Sequence, residues 1–164
     1  MIILTGVIAS GFRAATPSLI SARYWRVRGL SSNNTTYLGF ADVEMRLTAG
    51  GADQTTEAQT IYGDQNGTKY ASNAFDANET TTFWNTRKSV SVPTLSWIGQ
   101  DFGSDVTITE MRFGARVDAN NYDQTPDEIE VEYSYDNITW VSILSINRGP
   151  NSWTSGLQVV YTIQ

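Results

Sequence analysis

Asn73-Ala74-Phe75-Asp76-Ala77-Asn78-Glu79-Thr80-Thr81-Thr82-Phe83-Trp84 is the stretch from which the fold of this chain is read. Its two ends, Phe75 and Phe83-Trp84, are too large and apolar to leave in water. Between them runs a series of oxygen-bearing side chains. Asp and Asn favour turns because their side chains bond nearby backbone, and Thr does the same more weakly. The pattern predicts a compact loop pinned at both ends by aromatic residues in a core. Two readings of its oxygens are open at this point: a turn network without metal, or a cradle for a hard cation, since calcium takes several oxygen ligands.

Outward from this loop the hydrophobic period is two. Trp25 and Val27 alternate with Arg26 and Arg28, and Val43, Met45 and Leu47 with Glu44 and Arg46. Ile129, Val131 and Tyr133 alternate with Glu128, Glu130 and Glu132. Such alternation marks strands with one buried and one wet face. The glutamate row predicts a solvated strand face, with Arg112 or Arg116 on a neighbouring strand to relieve its repulsion. Turn-rich segments separate the strands, among them Ser31–Thr36, Ala49–Asp53, Gly63–Gly67, Asp118–Asp123 and Asn147–Asn151. Many short strands between such signals predict an all-β sandwich or jelly roll.

The 164 residues suit one domain with a substantial core, and five Trp, eight Tyr and six Phe supply large fillers for its layers. Net charge is −6, the wrong sign for a protein that neutralises phosphates, so no nucleic-acid partner is expected. No apolar run has the length of a bilayer helix, and no membrane insertion is expected. The chain has neither cysteine nor histidine. Without them there is no disulfide framework, no Ser-His or Cys-His nucleophilic pair and no His zinc ligand. Carboxylate pairs such as Asp123 with Asp127, or Asp101 with Asp105, remain, but 17 acidic residues make such pairs common by chance. The expectation is a protein that is not an enzyme.

Residues 1–21 differ in character. Met1-Ile2-Ile3-Leu4-Thr5-Gly6-Val7-Ile8-Ala9 is apolar, and Ser10 to Pro17 breaks the run. It lacks the positive residues that precede the apolar part of a signal peptide. The expectation is a docking arm over Met1 to Phe12, set either against its own sandwich or against a neighbouring subunit.

Four pieces, in order, resemble the discoidin or coagulation factor 5/8 type C family. They are the opening Tyr24-Trp25-Arg26-Val27-Arg28, the stretch from Ala74 to Trp84, Trp97-Ile98-Gly99-Gln100-Asp101-Phe102-Gly103, and the segment Ile129 to Trp140 with its Glu132-Tyr133-Ser134-Tyr135-Asp136. The resemblance covers Ala22 to the C-terminus. It implies a discoidin-like jelly-roll β-sandwich over residues 22–164, galactose-binding-like in architecture, with an N-terminal extension over 1–21. It also implies a non-catalytic recognition or assembly module whose ligands meet loops at one end of the sandwich. The apolar terminus and the opening strand are similar to those of small bacteriophage virion proteins with this fold. That likeness implies a tail or capsid component, homo-oligomeric and in contact with other virion proteins, that binds host cell-surface carbohydrate; a purely structural decoration or adaptor subunit is the alternative.

For metal, the resemblance assigns Asp76, Asn78 and Thr81 to a structural calcium. Two departures bear on it: Ala77 stands where the family commonly has Gly, and no Asp or Glu follows Asp136. For ligand, the aromatic and polar loops suggest Arg87, Asn121, Tyr122, Asp123, Arg148 and Trp153, with Asn120 beside them. Sugar recognition needs a flat aromatic face and fixed polar partners. Trp153 has a second reading, as a plug at the end of the sandwich. Trp25, Phe75, Trp84, Trp97 and Trp140 are expected in the core.

Overall fold

The computed structural model describes residues 19–92, 94–118 and 121–163, apart from the side chains of Val90 and Ser91. The chain forms β1 (Ala22–Ser31), β2 (Tyr37–Phe40), β3 (Asp42–Arg46), β4 (Thr60–Tyr62), β5 (Trp84–Arg87), a single helical turn α1 (Lys88–Ser91), β6 (Trp97–Val106), β7 (Glu110–Gly114), β8 (Glu128–Ser134), β9 (Val141–Asn147) and β10 (Gln158–Thr162). Every strand pairing is antiparallel. One layer is a five-stranded sheet in the order β4-β6-β1-β8-β9. A three-stranded sheet, β10-β7-β3, and the pair β2-β5 complete the sandwich. No described helix is long and apolar enough to cross a membrane.

The period-two pattern explains the layers. Trp25, Val27, Ile98, Ile129 and Val131 reach inward from the five-stranded sheet and are fully or almost fully buried; Val43, Met45, Met111 and Phe113 come from the three-stranded sheet, and Phe40 and Trp84 from the pair. Phe40 joins these groups, with its ring 5.6 Å from Phe113 and 6.2 Å from Trp84. Packing β2 against β5 this tightly requires Gly39, because a Cβ there would lie 2.0 Å from the Trp84 carbonyl oxygen. Trp84 in turn donates its indole N–H to the Asp64 carbonyl at 2.9 Å, so its one polar atom is satisfied.

Three expectations need correction. Trp97 and Trp140 lie half-buried on the outer face of the five-stranded sheet, not in the core; they flank Arg26, whose guanidinium carbon is 4.7 Å from one ring and 3.9 Å from the other. Their position follows from strand parity, since Trp97 alternates with the inward Ile98. The glutamate row is relieved by Arg26 and Arg28 rather than by Arg112 or Arg116. Register places Arg26 opposite Glu132 and Arg28 opposite Glu130 on the neighbouring strand, while Arg112 lies in the other sheet. Leu47, finally, lies beyond the end of β3 and is largely exposed.

Candidate functional site

The loops at one end of the sandwich are bonded to each other through their backbones. Asn34 N–H donates to the Asp123 carbonyl at 3.0 Å, Lys88 N–H to Thr36 at 2.9 Å, Asp127 N–H to Ser31 at 2.9 Å and Arg148 N–H to Asp127 at 2.8 Å. Lys88 adds its ammonium, which donates to the Ser32 and Asn34 carbonyls at 2.9 Å each. The segments after β1, β5, β7 and β9 thereby form one crown. The opposite end carries the start of β1, paired to Val106 at Ala22, and the last described turn, where Ile163 bonds Thr109.

Beneath the crown runs a network that sequence reading did not find. Asn85, Gln124 and Arg116 are almost completely buried. Asn85 donates to Gln124 at 3.1 Å, Arg116 donates to the same oxygen at 2.8 Å, and Gln124 donates to Asn121 at 2.9 Å. Arg116 also grips Asp118, which receives Asn121 at 3.0 Å. Burial alone would raise Asp118, but the bonds from Arg116 and Asn121 outweigh it and hold its carboxyl below the usual range. Satisfied polar networks of this kind rigidify what they support. The only sequence signal was the density of Asn, Gln and Asp between 118 and 124.

The expected ligand residues divide into two groups. Asn121 and Asp123 lie half-exposed in the crown, where Asp123 takes the Asn34 amide at 3.2 Å, and Arg87 is exposed at the end of β5 opposite Tyr37. Arg148 and Trp153 form the second group, and here the structure corrects the stacking role. Trp153 is only 2% exposed, and its indole N–H donates to the Pro126 carbonyl at 2.8 Å. Arg148 lies 4.4 Å over that ring and donates to Tyr161 and to the Ser152 carbonyl, so its guanidinium is committed to the fold. Tyr122 is half-buried and packs against the core. Asn120 lies outside the described residues, as does Met1 to Phe12. Burial pushes the Asp127 carboxyl up, against the pull of Ser152, Lys88 and Arg148. Of the sequence-suggested carboxylate pairs, Asp101 is held by Arg23 through two bonds of 2.6 and 2.8 Å, and Asp123 by Asn34.

Beside Asn121 opens a cleft of about 110 Å³, walled by Glu79–Phe83 and Arg116–Asp118. Pockets that enclose a small molecule usually run from roughly 300 to 1,000 Å³. This crown therefore offers shallow contact rather than enclosure.

One wall of that cleft is the loop expected to hold calcium. Asp76 accepts the Asn78 N–H at 2.9 Å; Asn78 Oδ1 accepts Thr80 N–H at 3.2 Å, Thr80 Oγ1 at 3.2 Å and Thr81 N–H at 3.1 Å. The Asn78 amide donates to Thr81 Oγ1 at 2.6 Å, and Thr82 Oγ1 donates to the Asn78 carbonyl at 3.1 Å. The loop's own donors thus engage Asp76 Oδ1, Asn78 Oδ1 and the Asn78 carbonyl, so a cation bound at these atoms would compete with the turn's hydrogen bonds. Ala77 takes the left-handed conformation at φ 55°, the strain its replacement of Gly implied.

Glu79 ties the loop to the three-stranded sheet. It meets Arg112 at 2.5 Å, and Arg112 is shared with Asp42 and Glu44. Asp42 is 2% exposed, and burial together with Glu44 pushes its carboxyl up to about 7, against the attraction of Arg112.

The described residues thus form an antiparallel sandwich whose loops at one end are laced into a crown beside a shallow cleft. The model of the F5/8 type C domain matches residues 52–162, well over half of the chain, and the chain belongs to that family, whose members are non-enzymatic modules that bind carbohydrates and other partners. No curated protein and no solved structure matches it.

Proposed function

We propose that this chain is a bacteriophage virion component that binds host cell-surface carbohydrate through the crown, with Arg87, Asn121 and Asp123 as the residues that meet sugar hydroxyls. The carrying observation is that these three stand accessible or half-accessible in loops bonded together from four parts of the chain. Guanidinium, amide and carboxylate together supply both donors and acceptors for a hydroxylated ligand. The virion assignment rests on the resemblance of the opening strand and apolar terminus to small phage proteins, and it includes homo-oligomerisation and contact with other virion proteins.

A single shallow site of this kind binds weakly, near millimolar or about −4 kcal/mol. Attachment then depends on many copies, because linked weak sites gain avidity without new contacts. The test is a glycan array probed with multimerised protein, parent against Arg87→Ala and Asn121→Ala. Binding by the parent that both variants lose supports the crown; binding that both retain while folded places the site elsewhere.

One observation favours the structural-subunit reading: Trp153, Tyr122 and Arg148, the residues best suited to stack on a sugar, are engaged in packing. A multimerised parent that binds no glycan gives that reading the lead.

A further inference from the structure

We propose that the loop wall of the crown cleft is a pH-responsive latch: a proton on Asp42 leaves Arg112 to moor Glu79, and loss of that proton draws Arg112 to Asp42 and releases the loop. The cluster's geometry is the starting observation. Carboxylate oxygens of Asp42 and Glu44 on β3 and of Glu79 in the loop all lie within 4.8 Å of one another. One nitrogen of Arg112, on β7, serves all three, with Glu79 at 2.5 Å and Asp42 at 3.2 Å. Arg46 brings a second guanidinium, but Glu44 and Glu110 share it. Asp53 faces Asp42 from the segment after β3 and adds a further negative charge. Among the described residues the carboxylates thus outnumber the cations that join them, and each disfavours ionisation of the others.

The three carboxylates do not bear this crowding equally. Asp42 is fixed on a strand opposite Gly114, is almost fully buried, and has the longest of the three contacts with Arg112. It is the one that takes a proton, and burial, with Glu44, pushes its carboxyl up to about 7. Glu44 is bonded to both arginines. Glu79 pairs with Arg112 from a loop, with a side chain 36% exposed, so it is the member with water to turn to. Once Asp42 ionises, the buried carboxylate needs its countercharge more than the exposed one does. Arg112 holds a donor in reserve for it, since its Nε is buried and has no hydrogen-bond partner among the described residues. The consequence falls on the cleft, because Ala41, beside Asp42, and Glu79–Phe83 line it. Under the reading proposed above, the crown's hold on a sugar changes with that wall. The chain has neither histidine nor cysteine, so no side chain ordinarily titrates near neutral pH. Asp127, which burial also pushes up, faces Lys88, Arg148 and Glu128 and stands outside this cluster.

The experiment follows the full chain by NMR from about pH 5 to about pH 9. No sugar is added and a metal chelator is present, so the outcome is independent of the carbohydrate reading and of any cation. The Asp42 side-chain carboxyl is expected to titrate near neutral pH, and the amide resonances of Glu79 to Thr82 to move with the same midpoint. The nuclear Overhauser effect between the Glu79 and Arg112 side chains is expected to weaken about threefold or more over that rise. Asp42→Asn, which mimics the protonated carboxyl, is expected to keep the contact at both extremes. A loop transition that survives in this variant with its midpoint unchanged overturns the proposal. Because a change at a buried site can prevent folding, the parent titration also decides by itself. An Asp42 carboxyl that titrates in the ordinary carboxylate range, or loop amides that stay in place while it titrates, overturns the latch.

Discussion

Trp84 and Trp140 illustrate how one residue type carries different weight at different depths. Trp84 is fully buried between Phe40 and the Asp64 carbonyl. Replacing it with Ala is expected to cost roughly 3–5 kcal/mol, a large part of a domain's usual margin. Trp140 lies on the outer face over Arg26, where a cation–π contact is worth about 0.5–2 kcal/mol. Trp140→Ala is therefore expected to shift the midpoint of thermal or denaturant unfolding distinctly less than Trp84→Ala, and equal shifts would contradict this placement. Asp42 supplies the pH dependence at this scale. Its folded pKa of about 7 stands above the unfolded value of 3.8, so the folded state binds a proton that the unfolded state releases. Its contribution is fully present below pH ~4 and is lost as pH rises through ~7. The groups facing it are Glu44, Glu79, Asp53 and Arg112. Asp42→Asn is expected to flatten the decline in stability between pH 5 and 8, measured by denaturant unfolding across that range; an unchanged slope would refute the assignment. Asp136, held down to about 2 mainly by the Thr139 and Ile138 N–H groups with Ser134, acts in the opposite sense, its contribution being lost only as pH falls from ~4 towards 2.

The element that rewards the closest attention is the loop from Asp76 to Thr82. Its hydrogen bonds close on themselves through Asn78, and Glu79 moors it to Arg112. We propose that it is held by this network without calcium. A chelator is then expected to leave the melting temperature of the parent unchanged, whereas a drop abolished by Asp76→Ala would show that the turn opens to take the ion. Ala77 gives an independent reading of the same element. A left-handed non-glycine residue costs about 1–2 kcal/mol, partly offset because glycine loses more entropy on folding. Ala77→Gly is expected to raise stability by up to about 1 kcal/mol, measured as a rise in melting temperature; a fall would mean that φ 55° is not the strained position it is taken to be.

Across the whole molecule, the two ends of the sandwich have different work. One end gathers the loops after β1, β5, β7 and β9 over a buried polar network, and the other holds the start of β1 and the end of the described chain. The network predicts that the crown responds as a unit. Gln124→Leu removes the shared acceptor of Asn85 and Arg116 and leaves both buried donors unpaired, each worth about 1–3 kcal/mol. It is expected to destabilise the fold and to loosen the 118–124 segment, seen as faster amide exchange there. Retention of full stability would show that the network is not what holds the crown.

The sequence by itself determined the layers. A period of two in Trp25–Arg28 and Ile129–Tyr133, with turn residues between strands, dictates which face each strand buries, because side chains on a strand alternate strictly. It also determined that Phe75 and Trp84 anchor their loop, since side chains of that size find water costly wherever the chain goes. Only the tertiary structure decided the partners. Arg26 and Arg28 face the glutamates of β8 because β1 lies beside it in the sheet order, which local pattern does not encode. Trp97 and Trp140 lie outside because register and strand parity, rather than size, set their face. Asn85, Gln124 and Arg116, separated along the chain by up to 39 residues, meet only once the sandwich closes. Trp153 and Arg148, which by residue type suited a ligand, were claimed by packing, because the fold brings within hydrogen-bond reach the Pro126 carbonyl, 27 residues from Trp153, and the Tyr161 hydroxyl, 13 residues from Arg148.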